Sequence, residues 1–346
     1  YFNALDRLQN TGCCLVLTGG NHDSPAVLNA PGSILKKINT HVVGDLPADL
    51  QQALVPLKNR QGEVAAVVAA VPFLRNGDLR RAVEGEGYQD RIAAIRQGMA
   101  RVFGQMAELC QQQFPGVPAI AMGHLFAQGV SGSDSEREIQ IGNQASFEAA
   151  QFPDYFSYVA LGHIHRPQQV GKSGKIYYSG SPTPLSFSER KDEKRVILLE
   201  LKEGRLRIKS VPLPVNRRLK RLKGSLEAVK EKVQELQAQA QHMPLPTLAE
   251  LEIVAPNNDP AIIPETDKFM EEASNEHLHM IKVRYQFDKK VQGAAALFSE
   301  EVEVEDLSPA DIFNKRLEKE EVDGESLQLL REAFAELLDE VSQSPE

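Results

Sequence analysis

The residues best equipped for chemistry sit where four apolar runs break into turns. They are Leu15 to Asp23 (LVLTGGNHD), Ala119 to His124 (AIAMGH), Val159 to His165 (VALGHIH) and, without histidine, Lys175 to Pro182 (KIYYSGSP). Asn21 offers an amide oxygen, and His124, His163 and His165 offer imidazole nitrogens. This donor set is hard to borderline and suits manganese, magnesium, iron or zinc, not a soft thiolate site. His163 and His165 are two apart, so in an extended chain they point to the same side and can address two neighbouring ions. Any one of these histidines, taken singly, is more commonly an ordinary surface or half-buried residue. Their joint occurrence at Gly-containing strand ends is what favours a metal site.

Residues so far apart in sequence meet only if the runs before them are neighbouring strands. In an open α/β sheet the loops leaving the carboxyl ends of buried strands converge on one crevice. Apolar runs predict strands at Leu15 to Thr18, Val64 to Val71, Pro118 to Met122, Tyr158 to Leu161, Ile176 to Tyr178, Val196 to Leu201 and Leu206 to Val211. Between them Gln89 to Phe114 carries Ile92, Ile95, Met99, Val102, Phe103, Met106, Leu109 and Cys110 at three- and four-residue intervals, one face of a helix whose role is core packing. Tyr1, Leu5 and Leu8 have the spacing of a helix face that ends at Thr11-Gly12.

Residues 1–211 thus form one α/β unit. Pro212-Leu213-Pro214-Val215-Asn216 continues neither a helix nor a central strand and marks a linker. Residues 217–298 read as a smaller α+β unit: helix at Leu226 to Gln241, strand at Leu248 to Val254, helix at Pro264 to Ala273 and strand at Leu278 to Phe287. After an acidic connector, Ser299 to Asp306, a third element spans 307–343. Ser308-Pro309-Ala310-Asp311 supplies a cap, a first-turn proline and an acid for one helix, and Leu327, Leu330, Phe334, Leu337, Leu338 and Val341 form the apolar face of a second.

The 346 residues suffice for two or three domains, and 42% hydrophobic content is ordinary for a globular protein. The apolar run from Val64 to Leu74 falls well short of the ~20 residues of a membrane-spanning helix, so no membrane partner is expected. Three cysteines, two of them adjacent at Cys13 and Cys14, suit a reducing compartment, and a cytoplasmic protein is expected. A net charge of −9 argues against general adhesion to DNA, although local cations can still neutralise phosphates. The best such cluster is Arg217, Arg218, Lys220, Arg221 and Lys223, which reads equally well as a solvated run at a domain junction. Arg75, Arg80 and Arg81 are weaker candidates.

Gly20-Asn21-His22-Asp23, Gly123-His124 and Gly162-His163-Ile164-His165 resemble, in order, the last three motifs of the calcineurin-like metallophosphoesterases. Leu161 to Arg166, Gly180-Ser181-Pro182 with Pro184-Leu185-Ser186-Phe187, and Ile312 to Leu317 bring the likeness closer, to the SbcD nuclease subunits. That resemblance implies a metallophosphoesterase-type β-sandwich flanked by helices, an α+β cap domain that helps to hold DNA, and a C-terminal helical pair that docks on an SbcC-like ATPase. It implies two-metal hydrolysis of DNA at double-strand ends and hairpins, with Mn2+ the expected metal and Mg2+ an alternative. Asn21, His124 and His163 would bind one ion and His165 would help to bind the other. His22 would face the scissile phosphate, and Asp23 would orient His22 or hold the turn. Gly20 and Gly162 are expected to let the backbone turn sharply beside the ions. A homodimer within a heterotetramer is implied as well. The family's first two motifs, Asp-x-His and Gly-Asp, do not occur before Gly20, and the sequence starts at Tyr1, so an N-terminally truncated piece with little nuclease activity is expected. A phosphodiesterase for a smaller substrate and a non-catalytic DNA-binding scaffold are the alternatives.

Overall fold

The computed structural model describes residues 2–81, 87–139, 145–202, 204–255 and 262–287, together with Phe313, Leu317, Leu330 and Phe334. In chain order the first half comprises α1 (Phe2–Gln9), β1 (Leu15–Thr18), α2 (Pro25–Asn29), α3 (Gly32–Lys37), β2 (Thr40–Val43), β3 (Leu54–Lys58), β4 (Val64–Phe73), α4 (Asn76–Leu79), α5 (Tyr88–Gln113) and β5 (Ala119–His124). There follow β6 (Phe156–Gly162), β7 (Gln168–Val170), β8 (Ile176–Tyr178), β9 (Arg195–Lys202), β10 (Arg205–Pro212), β11 (Leu219–Gly224), α6 (Leu226–Ala240), β12 (Thr247–Ala255), α7 (Ile262–Ala273) and β13 (Leu278–Phe287).

A six-stranded sheet of order β3-β4-β5-β6-β8-β7 is the frame of the molecule. Its four inner strands run parallel and its two edge strands antiparallel, so β4, β5, β6 and β8 all end at the same edge. The inner strands are uninterrupted apolar runs because both faces are covered: Val67 to Val71 of β4 are all buried. On one face lies α5, whose Ile92, Ile95, Met99, Val102, Phe103, Met106 and Cys110 are buried at helical spacing. Phe103 meets Phe147 and Phe152 at ring-centroid distances of 5.8 and 4.9 Å. The parallel pair β1-β2 packs against β4, and the backbone of Phe73 donates to Gly19 O at 2.8 Å, tying the end of β1 to the end of β4. Strands β9 and β10 form an antiparallel hairpin.

A second hydrophobic core belongs to the segment after the Pro-rich stretch. There β11, β12 and β13 form a wholly parallel sheet joined by α6 and α7, with Leu226, Val229, Val233, Leu236, Leu251, Ile253 and Leu278 buried between helices and sheet. Burial of each such side chain is worth about 2 kcal/mol. Ser225 caps α6 by accepting from Ala228 N at 3.3 Å.

Several strands escape the sequence pattern. β2 and β7 are short, β3 carries Pro56, and β11 falls within the basic run. Three cations of that run, Lys220, Arg221 and Lys223, prove to be strand residues: Arg221 pairs with Glu250 at 2.7 Å and Lys223 with Glu252. The predicted acidic connector 299–306 lies outside the described residues, as does most of the predicted tail. Within that tail the rings of Phe313 and Phe334 stack at 3.9 Å, Leu317 is buried and Leu330 is 43% exposed.

Candidate metal centre

Two strand ends and one turn bring the sequence-predicted ligands into a single pocket. His124 is the last residue of β5 and lies in register with Phe73 of β4 and Gly162 of β6. His163 and His165 follow β6 directly, and Asn21 and His22 stand in the turn after β1. All five line a cavity of about 280 Å3 together with Glu136, Arg137 and Ser181.

Close approach, not chain reversal, explains the glycines. A Cβ on Gly20 would stand 2.7 Å from His124 Cε1, and one on Gly162 would stand 3.0 Å from His124 Nδ1. Neither residue has a positive φ, contrary to the expectation that they supply the sharp turns. The unusual backbone belongs to His163 itself, at φ 98°. Such a conformation costs a non-glycine residue about 1–3 kcal/mol and persists only where the surroundings overdetermine it.

The donor atoms suit a divalent cation. Asn21 Oδ1 lies 2.8 Å from His124 Nε2, and the rings of His124 and His163 are 5.4 Å apart. Two ligands at right angles on an ion, each about 2.1 Å from it, stand about 3 Å apart, so the Asn21–His124 spacing fits a shared cation as well as a hydrogen bond. His163 Nε2 is the stronger sign, because it is buried with no hydrogen-bond partner, a state that normally costs free energy unless something fills it. Among the described residues no three His, Cys, Asp or Glu side chains converge on one point; the candidate set is two imidazoles and an amide.

Electrostatics keep these rings neutral. Burial, and then the neighbouring His163, His22 and His165, push the His124 pKa down to about 3. Burial likewise lowers His163 to about 4, opposed by Glu136 and reinforced by His165 and His22. Both therefore keep a lone pair at neutral pH, as a metal ligand must. Asp23 accepts from Gly20 N at 2.7 Å and so closes the turn. His22 is exposed at the mouth of the pocket.

A buried polar network that sequence reasoning missed surrounds His165. Its backbone N–H donates to Glu136 Oε1 at 2.7 Å, and its carbonyl accepts from Lys194 Nζ at 2.9 Å and Ser181 N at 3.0 Å. Ser135 Oγ touches the ring Nδ1 at 2.6 Å and also Glu189 Oε1 at 2.6 Å. Glu189 is fully buried and pairs with Lys194 at 2.6 Å. Burial raises the Glu189 pKa, but hydrogen bonds from Lys194, Ser135 and Ser133 and the Lys194 charge outweigh it and bring it down to about 2. Glu136 is lowered in the same way: burial opposes, while the His165 and Ser133 hydrogen bonds prevail.

The sequence has known relatives. Residues 215–321 match the family profile described as Type 5 capsule protein repressor C-terminal domain. The SbcD subunit of the SbcCD nuclease from Escherichia coli (strain K12) is 34% identical over 338 residues, which cover 96% of this chain and 81% of that protein. Its counterpart of the same name from Rhodobacter capsulatus is 39% identical over 223 residues, 62% of this chain and 52% of that protein. The Bacillus subtilis protein, again of that name, is 30% identical over 207 residues, 59% of this chain and 51% of that protein.

Proposed function

The chain belongs to the SbcD family of nuclease subunits, and we propose that it hydrolyses DNA phosphodiester bonds at double-strand ends and hairpins with two divalent cations, Mn2+ first. The observation that carries the metal reading is His163 Nε2, buried and unpartnered beside His124 and Asn21. In this reading Asn21, His124 and His163 hold one ion, and His165 helps to hold the second. Bound cations supply an activated water and offset charge on the transferring phosphoryl group.

The protein's own groups do the rest. His22, exposed at the pocket mouth, faces the scissile phosphate and protonates the leaving oxygen or stabilises the transition state. Asp23 fixes the turn that presents Asn21 and His22 by taking the Gly20 N–H. Residues 1–211 make up the nuclease core and 217–298 the DNA-gripping cap, and the 307–343 tail docks on an SbcC-type ATPase, with a homodimer inside the heterotetramer. A separate hydrophobic core in the cap favours DNA over a small phosphodiester, which has no need of it. No described helix is long and apolar enough to cross a membrane; the proposed DNA substrate supports a cytoplasmic reading.

Titration of the chain with Mn2+, combined with cleavage of linear duplex DNA by the natural full-length protein in the presence of the ATPase subunit, tests the assignment. His163→Ala should abolish both uptake and cleavage, whereas His22→Ala should abolish cleavage and leave uptake intact. Normal cleavage by the His22→Ala protein would show that His22 has another task, and absence of Mn2+ uptake by the parent protein would end the metal reading.

A further inference from the structure

The ring of His165 is reached by a chain of polar groups that the metal reading does not use. A serine hydroxyl has one proton, so Ser135 can donate either to His165 Nδ1 or to Glu189 Oε1, each 2.6 Å away, but not to both. Glu189 is held as a carboxylate by Lys194, whose Nζ is 2.6 Å from Oε2 with both groups buried. Donation to a carboxylate is roughly twice as strong as donation between neutral partners. Ser135 therefore gives its proton to Glu189, and the lone pair left on Oγ faces Nδ1. Only an N–H on Nδ1 satisfies that contact. The competing hydroxyl, Ser133, lies 2.8 Å from Ser135 Oγ but has Glu136 Oε2 at 2.8 Å to receive its own proton.

We propose that Ser135 and Glu189 are positioning residues that hold His165 in the Nδ1–H tautomer and leave its Nε2 bare for the pocket. The consequence for chemistry is that the ring is preset as a ligand: without this relay it is free to protonate on Nε2, the nitrogen a cation requires. His165 is separately anchored through its backbone N–H and C=O, so loss of the Ser135 hydroxyl frees the proton without releasing the residue. The metal consequence rests on the function proposed above; the tautomer does not.

Long-range 1H–15N correlation spectra of the imidazoles in the metal-free full chain, at about pH 8, where an unperturbed ring is neutral, read the tautomer directly. His165→Asn identifies the resonance. The wild-type ring should be protonated on Nδ1, Ser135→Ala should shift it toward Nε2–H, and Ser135→Thr should restore it. The Ala variant should also lose about 10–100-fold in Mn2+ affinity, recovered by Thr. A wild-type ring protonated on Nε2 overturns the proposal whether or not any variant folds, and so does a folded Ser135→Ala protein whose tautomer is unchanged. An Nδ1–H ring in a protein that takes up no Mn2+ would support the relay and contradict the metal reading.

Discussion

Lys194→Met removes the cation from a fully buried carboxylate while keeping most of the aliphatic volume. Among the described residues no other lysine or arginine pairs with Glu189: its remaining partners are the hydroxyls of Ser133, Ser135, Ser181 and Ser186, the backbone N–H of Leu185 and the His165 ring, whose Nδ1 lies 3.7 Å from Oε1. Breaking a buried pair from one side generally costs about 3–5 kcal/mol. The ionisation of Glu189 is of the same order. Its pKa falls from 4.5 to about 2, and two and a half units at about 1.4 kcal/mol each amount to roughly 3–4 kcal/mol for Lys194 and the serine hydroxyls together, net of burial. Because the folded value is depressed, this stability is fully present above the unfolded pKa and is lost as pH falls from there toward the folded value. In the variant, burial acts on Glu189 without the opposing cation. Urea denaturation followed by circular dichroism should therefore show a loss of about 3 kcal/mol near pH 7, with the gap to wild type narrowing as pH drops from about 5 toward about 2. A cost below about 1 kcal/mol, or a gap that is the same near pH 7 and pH 3, would refute the idea that this pair governs the network.

Gly20→Ala places a Cβ against the His124 ring, so calorimetric Mn2+ affinity should fall by at least tenfold while the melting temperature moves little; unchanged affinity would contradict the close-packing argument. Arg221→Ala should act on stability more than on DNA, because it strips one of the two arginines from buried Glu250: a loss of about 1–3 kcal/mol by denaturation is expected, and a DNA-affinity defect at unchanged stability would restore Arg221 to the DNA surface. In the tail, Phe313→Asp with Leu317→Asp should abolish capture of the SbcC-type ATPase by burying unpaired charge, and full-strength capture would mean that this element packs only on its own chain.

What could be read from the sequence followed burial. The apolar patterns predict β1, β8 and β13 to the residue, and α5 to within one residue at each end, because long or closely flanked apolar patterns report a covered face. Edge and mixed strands escape that rule: Pro56 in β3 and the Leu-Lys-Arg-Leu-Lys of β11, whose leucines are three apart, depend on partners that sequence alone does not show. Asn21, His124, His163 and His165 do converge on one pocket, as the shared strand-end pattern implies. The strain at His163 is not foreseeable, since a positive φ is ordinarily assigned to glycine. Glu189 and Lys194 are invisible in the sequence for a different reason. Both belong to residue types that almost never lie fully buried without a partner, and the contacts that satisfy Glu189 come in part from Ser133 and Ser135, 56 and 54 residues before it, as well as from the nearer Ser181.

The central claim, that Asn21, His124 and His163 share a divalent cation, is most directly tested by anomalous diffraction at the manganese edge from crystals grown with Mn2+. The account predicts a peak within about 2.0–2.3 Å of Asn21 Oδ1, His124 Nε2 and His163 Nε2. A Mn2+-saturated crystal with no anomalous peak in this pocket, its metal lying elsewhere and His163 Nε2 hydrogen-bonded to an ordered water, would contradict it.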